Sequence, residues 1–365
     1  GNSCGTITGK VFLDVNSNCV YDAGEYGIPN VNISLSNGAH GYTNFAGDYG
    51  VGNIPYGTYT ISQSFPLGIT ANACVQPITV TLNAANNLLN NIDFMDNSNN
   101  VTDVSVHIVS GGLERGFNAA YTITAYNNSV NTALCNLNFR LNDSLNYLNT
   151  LPNNQGTHIV SGYDSIVWNN LTLAPFSAQT FQVSCFVPLD FQLGDLVQCD
   201  AAIVVTNNTD INLANNYYSI SNTVSGAFDP NNKSVNPIGE GPNGNITLQD
   251  SLLDYLIRFQ NTGTDSAHNI FILDTLSDQL DISTLNITGF SHPYTIEILN
   301  GHILKFKFDH IMLPDSNINE PLSHGYIAYS IQQKNTNQIG DVIHNTASIY
   351  FDFNAPIITN TTINT

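Results

Sequence analysis

The sequence predicts an all-β chain of tandem β-sandwich domains. Three observations carry this. Short segments of alternating apolar and polar residues recur along the chain, separated by Gly, Asn and Pro, which is the pattern of sandwich strands and their turns. Charged residues make up only 10%, against about 25% in a typical globular protein. Polarity rests instead on Asn, Ser, Thr and Gln, and Asn, Thr and Gly favour turns and β surfaces over helices. Finally, a pattern in the middle of the chain returns in its last third. The length, 365 residues, suits two or three domains.

The first segment reads as short strands. Thr6–Leu13 alternates and runs into an acidic loop. Val31–Leu35 alternates cleanly, Gly41–Tyr49 contains a turn, and Gly57–Ile61 is a further strand after Ile54-Pro-Tyr56. Ile78–Leu82 alternates again and, with Ile92-Asp-Phe94, completes the predicted sheet.

The acidic loop Asp14–Glu25 places side-chain oxygens at Asp14, Asn16, Asn18 and Asp22, with Glu25 closing the set and Val20 offering its carbonyl. A hard cation such as calcium takes about six to eight oxygens at roughly 2.3–2.6 Å, from carboxylates, amides and backbone carbonyls. Alternate spacing lets one loop wrap them around an ion, and neutral Asn oxygens avoid crowding carboxylates. The other reading is a polar turn whose Asp and Asn side chains bond their own backbone.

Four stretches resemble the B-type repeat of staphylococcal Sdr surface proteins: Gly9–Asn18, Asp22–Val31, Thr43–Tyr49 and Gly57–Thr60. The resemblance implies a calcium-stabilised, Cna-B-like or prealbumin-like sandwich used as a stalk element. Cys19 departs from the family, which usually has Gly there. Gly permits a tight left-handed turn, so a disulfide is an alternative means of holding it.

The repeat aligns Tyr121-Thr-Ile-Thr-Ala-Tyr-Asn127 with Tyr255-Leu-Ile-Arg-Phe-Gln-Asn261. Each strand leads to a second strand with an acidic step, at Asp143 and Asp274, and each module closes on a β-rich strand, Ala201–Val205 and Ala347–Phe351. Two immunoglobulin-like sandwiches in tandem are expected. The last is similar to modules that precede the sorting signal of type IX-secreted Bacteroidetes proteins, through Phe228–Val235, Tyr255–Gly263 and Asn345–Pro356. That resemblance implies a sorting domain beyond Thr365. The expected domains are 1–97, 98–226 and 227–365, joined by short linkers at 95–100 and 226–232. The abrupt start at Gly1 and the Thr-rich end are expected of a piece processed from a longer protein.

Lys and Arg total 8 against 28 Asp and Glu, a formal charge of −20. Such a surface repels nucleic-acid phosphates and anionic membranes, and no run of about 18 apolar residues exists to insert into a bilayer. Six cysteines, none in a Cys-x-x-Cys pair, suggest disulfides in an oxidising compartment. Cys185 and Cys199 flank an expected strand–turn–strand and form the first candidate bridge. Cys19 with Cys74 is the second, and Cys4 and Cys135 stay unassigned.

Catalytic signatures are missing: there is no Gly-x-Ser-x-Gly, His-Glu-x-x-His or phosphate loop, and His302 and His310 have no metal spacing. Paired carboxylates from distant strands are the one enzymatic arrangement left open. Lys233, Asn345 and Asp274 form a candidate covalent cross-link, in which a lysine on a first strand joins an asparagine at the last, assisted by a buried acid. The chain has only one tryptophan, Trp168; Tyr217 with Tyr218, Tyr56 with Tyr59, and Phe290 with Tyr294 are candidate sugar-stacking aromatics, though strand aromatics are usually core or cross-strand pairs. Asp-Ser/Thr-apolar triplets mark Ser144, Ser165, Ser251, Ser266 and Thr275 as candidate glycosylation sites, similar to the Bacteroidetes motif. Asp229, Asn231 and Asn232 are a weaker junction site for calcium. Asp48, Asp352 and Asn354 read as turn residues.

The expected protein is therefore a secreted or cell-surface structural stalk or adhesion protein, a calcium-stabilised rod without enzymatic activity. Its expected partners are other surface or matrix components, itself, or glycans. The alternatives are a carbohydrate-binding accessory region of a secreted enzyme and a subunit of an extracellular filament or gliding adhesin.

Overall fold

The computed structural model describes residues 4–72, 74, 78–160, 163–226, 230–247 and 250–365. The chain forms two compact units, one of Gly1–Asn99 with Pro230–Thr365, the other of Asn100–Asp229. Both are built of sheets, as the alternation predicts; the described helices are single turns at Leu213–Asn215, Ser316–Asn319 and Glu320–Leu322.

The first sandwich packs a sheet centred on Cys4–Leu13 against one ordered His40–Tyr42, Asn32–Leu35, Gly57–Gln63, Ile78–Leu82. Ile7 and Val11 face Ile33, Leu35, Ile61 and Leu82, all nearly or wholly buried. Successive strand side chains point to opposite faces, so the alternating residues fill one interior. The segment expected as a linker is instead a strand, Phe94–Ser98, which pairs in parallel with the opening strand (Val11 with Phe94, Leu13 with Asp96). Its return passes so close that a side chain at Gly9 would strike the Ile92 carbonyl at 2.0 Å.

Within the same unit this sandwich packs on the third. The Tyr42 hydroxyl donates to the Ile282 carbonyl at 2.6 Å, the Asn44 amide donates to Tyr294 O at 3.5 Å, and Phe45 lies 5.6 Å from Phe290. Tyr42 is part of the third sandwich's own core.

The second and third sandwiches share one topology. In the second, a four-stranded sheet runs Val104–Ser110, Asn118–Asn127, Ala178–Phe186, Asn146–Leu151. In the third the order is Asn232–Asn236, Leu252–Gln260, His324–Gln333, Leu280–Phe290. The opposing sheets also correspond: Leu196–Val205, Ala133–Asn142, Tyr163–Leu173, Gly156–Val160 match Ile343–Phe351, Ile270–Thr275, Ile303–Phe308, Thr295–Leu299. The repeated asparagine has a physical role. Asn127 Nδ2 donates to the carbonyls of Asn131, Leu173 and Ala174, while its Oδ1 accepts from Ser129. Asn261 does the same with Asp265, Leu313 and Gly263. Each amide satisfies buried backbone groups where the strand ends, a place where orphaned polar atoms are costly.

Two sequence expectations fail in the second sandwich. Cys185 and Cys199 are both buried and free. The strands carrying them, Ala178–Phe186 and Leu196–Val205, belong to opposite sheets, not to one hairpin. Cys135 is also buried and free. The repeat's acidic steps are not equivalent either: Asp143 is exposed in a turn, whereas Asp274 is wholly buried in a strand.

His107, on the strand Val104–Ser110, is buried against the Tyr218 ring at 4.2 Å, and neither ring nitrogen has a partner. Burial pulls its pKa down to about 3. The folded state thus keeps His107 neutral while the unfolded chain protonates near its ordinary value. Stability is retained above about pH 6.5 and lost as pH falls towards 3, by about 3 kcal/mol at pH 4.5. Urea unfolding followed by the single tryptophan, Trp168, should show this loss. In His107→Phe the drop between pH 7 and pH 4.5 should be smaller by that amount; an unchanged drop refutes the assignment.

Candidate functional site

The loop Asp14–Glu25 follows directly from the opening strand, so its first residue is fixed by the sheet. Asp14 is 2% exposed and its backbone N–H donates to the Asp96 carbonyl at 3.0 Å. Its carboxylate accepts from Asn18 N at 3.1 Å, Cys19 N at 2.9 Å and Asn72 Nδ2 at 2.8 Å. Asn16 and Asn18 both reach Asp22 Oδ2, at 2.9 and 2.7 Å, and hold the Asp22 carboxyl below the usual carboxylate range. Glu25 closes the loop on itself: one oxygen accepts from Val15 N at 3.0 Å, the other from Asp22 N at 2.9 Å.

Counted from Asp14, the five side-chain donors and the Val20 carbonyl fall at positions 1, 3, 5, 7, 9 and 12. These are the ligand positions of the twelve-residue EF-hand calcium loop. That loop has Gly at position 6 for a sharp turn; Cys19 stands there with φ +64°. The departure the sequence flagged is therefore real, because a non-Gly residue resists this conformation. It is also compensated: Cys19 is disulfide-bonded to Cys74, with Cα atoms 6.0 Å apart. Asp14 lies close to both sulfurs. They are bonded to each other, so no thiolate is offered and the donor set is all oxygen. That chemistry fits calcium better than zinc.

The second cluster lies inside the third sandwich. Lys233 and Asp274 are both wholly buried, and Lys233 Nζ contacts both Asp274 oxygens, Oδ1 at 2.6 Å. The Tyr329 hydroxyl donates to Asp274 Oδ2 at 2.6 Å and accepts from Lys233 Nζ at 3.2 Å and Asn345 Nδ2 at 3.0 Å. Lys233 also lies over the rings of Tyr255 and Tyr329, 4.8 and 5.6 Å from their centroids. Burial lowers the Lys233 pKa to about 8, outweighing the attraction of Asp274. Asn345 Oδ1 is buried without a hydrogen-bond partner. The three residues singled out in sequence thus meet, and sequence missed Tyr329, which bridges them. No sequence signal marked it, because its place opposite Tyr255 is set by register across the sheet.

The remaining candidates separate. Trp168 is core, its Nε1 donating to Pro152 O at 3.1 Å and its ring 4.8 Å from Phe181. Tyr217 points outward while Tyr218 packs on His107, so the pair forms no shared platform. Phe290 and Tyr294 are taken up by the contact with the first sandwich. Tyr56 and Tyr59 are half-buried. Ser165 is buried with its hydroxyl on Asn138 Oδ1, so the folded chain cannot present it for glycosylation. Ser144, Ser251 and Thr275 are exposed and Ser266 half-buried. Asp229 lies outside the described residues, and the side-chain oxygens of Asn231 and Asn232 serve Gln260 N and Arg258. Asp352 accepts from His268 N and Asn269 N, as a turn residue does. Asp48 pairs with Lys10 at 2.6 Å.

A family model described as a domain of unknown function, DUF7619, matches residues 229–365. No curated protein matches the sequence. Among solved structures, the chain is similar to the C-terminal domain of the Streptococcus agalactiae AgI/II polypeptide BspA, at 12% identity over 72% of this chain and 99% of that one, with a TM-score of 0.25. It is similar to BcpA, the major pilin subunit of Bacillus cereus, at 11% identity over 95% and 87%, TM-score 0.26. A third is the Enterococcus faecalis MSCRAMM ACE, which binds its ligands by the collagen hug model, at 10% identity over 73% and 95%, TM-score 0.26. Scores this low carry no functional argument, and the fold stands on the sheets described above. Among the described residues no helix is long and apolar enough to cross a membrane.

Proposed function

We propose that this chain is a structural part of a secreted or cell-surface protein, serving as a stalk or adhesion region, and that Asp14–Glu25 binds calcium. The observation that supports it most is the single loop carrying Asp14, Asn16, Asn18, Asp22 and Glu25 in EF-hand register, tied to the sheet through Asp14 and to Cys74 through Cys19. In this reading the carboxylates and amide oxygens that now satisfy loop N–H groups share their remaining lone pairs with the ion. Calcium then contributes folding free energy to the first sandwich, because the unfolded chain has no preformed site. Partners are other surface or matrix components.

The test is thermal unfolding with calcium and with chelator, beside calorimetric titration. At calcium about 100 times its Kd the stabilisation should be near 2.7 kcal/mol. Asp14→Ala should abolish the difference. A melting temperature that ignores chelation refutes the calcium reading.

A further inference from the structure

We propose that the third sandwich matures by forming an amide bond between Lys233 Nζ and Asn345 Cγ, with release of ammonia. This inference does not rest on the calcium reading. Its first support is geometry. Lys233 Nζ and Asn345 Nδ2 contact the same Tyr329 hydroxyl, at 3.2 and 3.0 Å, so amine and carboxamide share one buried neighbour. Asp274 stands on Nζ at 2.6 Å, and Asn345 Oδ1 is buried with nothing donating to it. Buried polar atoms are almost always satisfied. This one is the oxygen that a protonated Asp274 must polarise.

The second support comes from the sister sandwich. Strand register makes Lys233, opposite Ile257, equivalent to Ile108, opposite Ile123. Asp274, opposite Ala347, corresponds to Phe139, opposite Ala201. Asn345 corresponds to Cys199 on the matching closing strand, and Tyr329, opposite Tyr255, to Val183, opposite Tyr121. All four counterparts are buried. One topology therefore packs these positions without any charge. A buried ion pair seldom stabilises more than an apolar replacement, so the fold itself does not call for the cluster.

The reaction balances within these residues. The proton shared by Lys233 and Asp274 settles on the carboxylate, leaving a neutral amine, which burial favours. The Nζ–Cγ bond forms, the carbonyl electron pair moves to Oδ1, and Oδ1 takes the Asp274 proton. Asp274 then removes a proton from Nζ and delivers it to Nδ2. As the carbonyl re-forms, the Cγ–Nδ2 bond breaks, ammonia departs, and the Oδ1 proton returns to Asp274. The product is a neutral amide whose oxygen accepts from the protonated acid. No oxidant, metal or cofactor is consumed. The bond joins the strand Asn232–Asn236 of one sheet to Ile343–Phe351 of the other.

Intact-mass spectrometry of the purified chain under denaturing conditions tests this. The expected mass is lower than that of the sequence by one ammonia, with a branched peptide joining Lys233 to Asn345 in the digest. Lys233→Met should restore the full mass. Asp274→Asn, with folding checked by circular dichroism, should also show the full mass. An unmodified wild-type mass overturns the proposal without any variant, as does ammonia loss mapped to other residues. A folded Asp274→Asn that still loses ammonia overturns the role given to Asp274. Any of these leaves the calcium reading untouched.

Discussion

Replacing Lys233 by methionine is expected to destabilise the third sandwich by about 3–5 kcal/mol, as removal of one partner from a buried ion pair does. The reason is what stays behind. Asp274 is wholly buried, and after the change it keeps the hydrogen bond from the Tyr329 hydroxyl but no cation. Charge on such a carboxylate is strongly disfavoured without a cation. The double variant Lys233→Met with Asp274→Leu should recover much of the loss, because it removes both charges and approaches the apolar packing of the second sandwich. Denaturant unfolding of the four members of the cycle measures the coupling. Equal stability of single and double variants would show that the charge left on Asp274 is not what destabilises the fold. In the amide-bonded protein the ion pair is already gone, so there Lys233→Met loses instead the bond's constraint on the unfolded state. For a loop near 100 residues this is worth about 4.7 kcal/mol, and only variants unable to form the bond lose it.

The second large effect is expected at Cys19–Cys74. The bridge spans a sequence separation of 55, and removing such a native cross-link typically costs about 2–5 kcal/mol. Its effect on the loop is separate. Cys19 N is one of three donors to Asp14, and Cys19 sits at φ +64°. Cys19→Ser with Cys74→Ser should therefore lose both stability and calcium affinity, the latter by about tenfold for each 1.4 kcal/mol of lost pre-organisation. Cys19→Gly with Cys74→Ser should lose the cross-link yet regain affinity, because glycine adopts positive φ freely. Calorimetric titration and urea unfolding of the two double variants separate the contributions. Equal calcium affinities in the two would show that backbone freedom at position 19 is not what the disulfide replaces.

Sequence reading reached the oxygen-rich loop Asp14–Glu25 because its side chains lie within twelve residues of one another: spacing alone sets which oxygens can converge. It reached Lys233, Asp274 and Asn345 from their places on first, inner and last strands, positions that a two-sheet module brings to one interior. It could not reach Tyr329, whose part depends on register across the four-stranded sheet. The bridge expected between Cys185 and Cys199 failed on a related point. Two strands close in sequence look like a hairpin, yet these cross from one sheet to the other, and alternation is the same in both cases. The aligned Asp143 and Asp274 differ for the same reason: similar letters at a strand end do not reveal which residue enters the ladder.

The sequence by itself determined that this is an all-β, turn-rich chain with a repeated sandwich, and that an oxygen-rich loop follows its first strand. Those features follow from local periodicity and short spacings, which act within a few residues. Only the tertiary structure decided that the first sandwich packs on the third, that Phe94–Ser98 is a strand, and that a lysine, an acid and an amide share one tyrosine hydroxyl. Strand order and register are fixed by which apolar faces can be buried together, and that is a property of the whole chain at once.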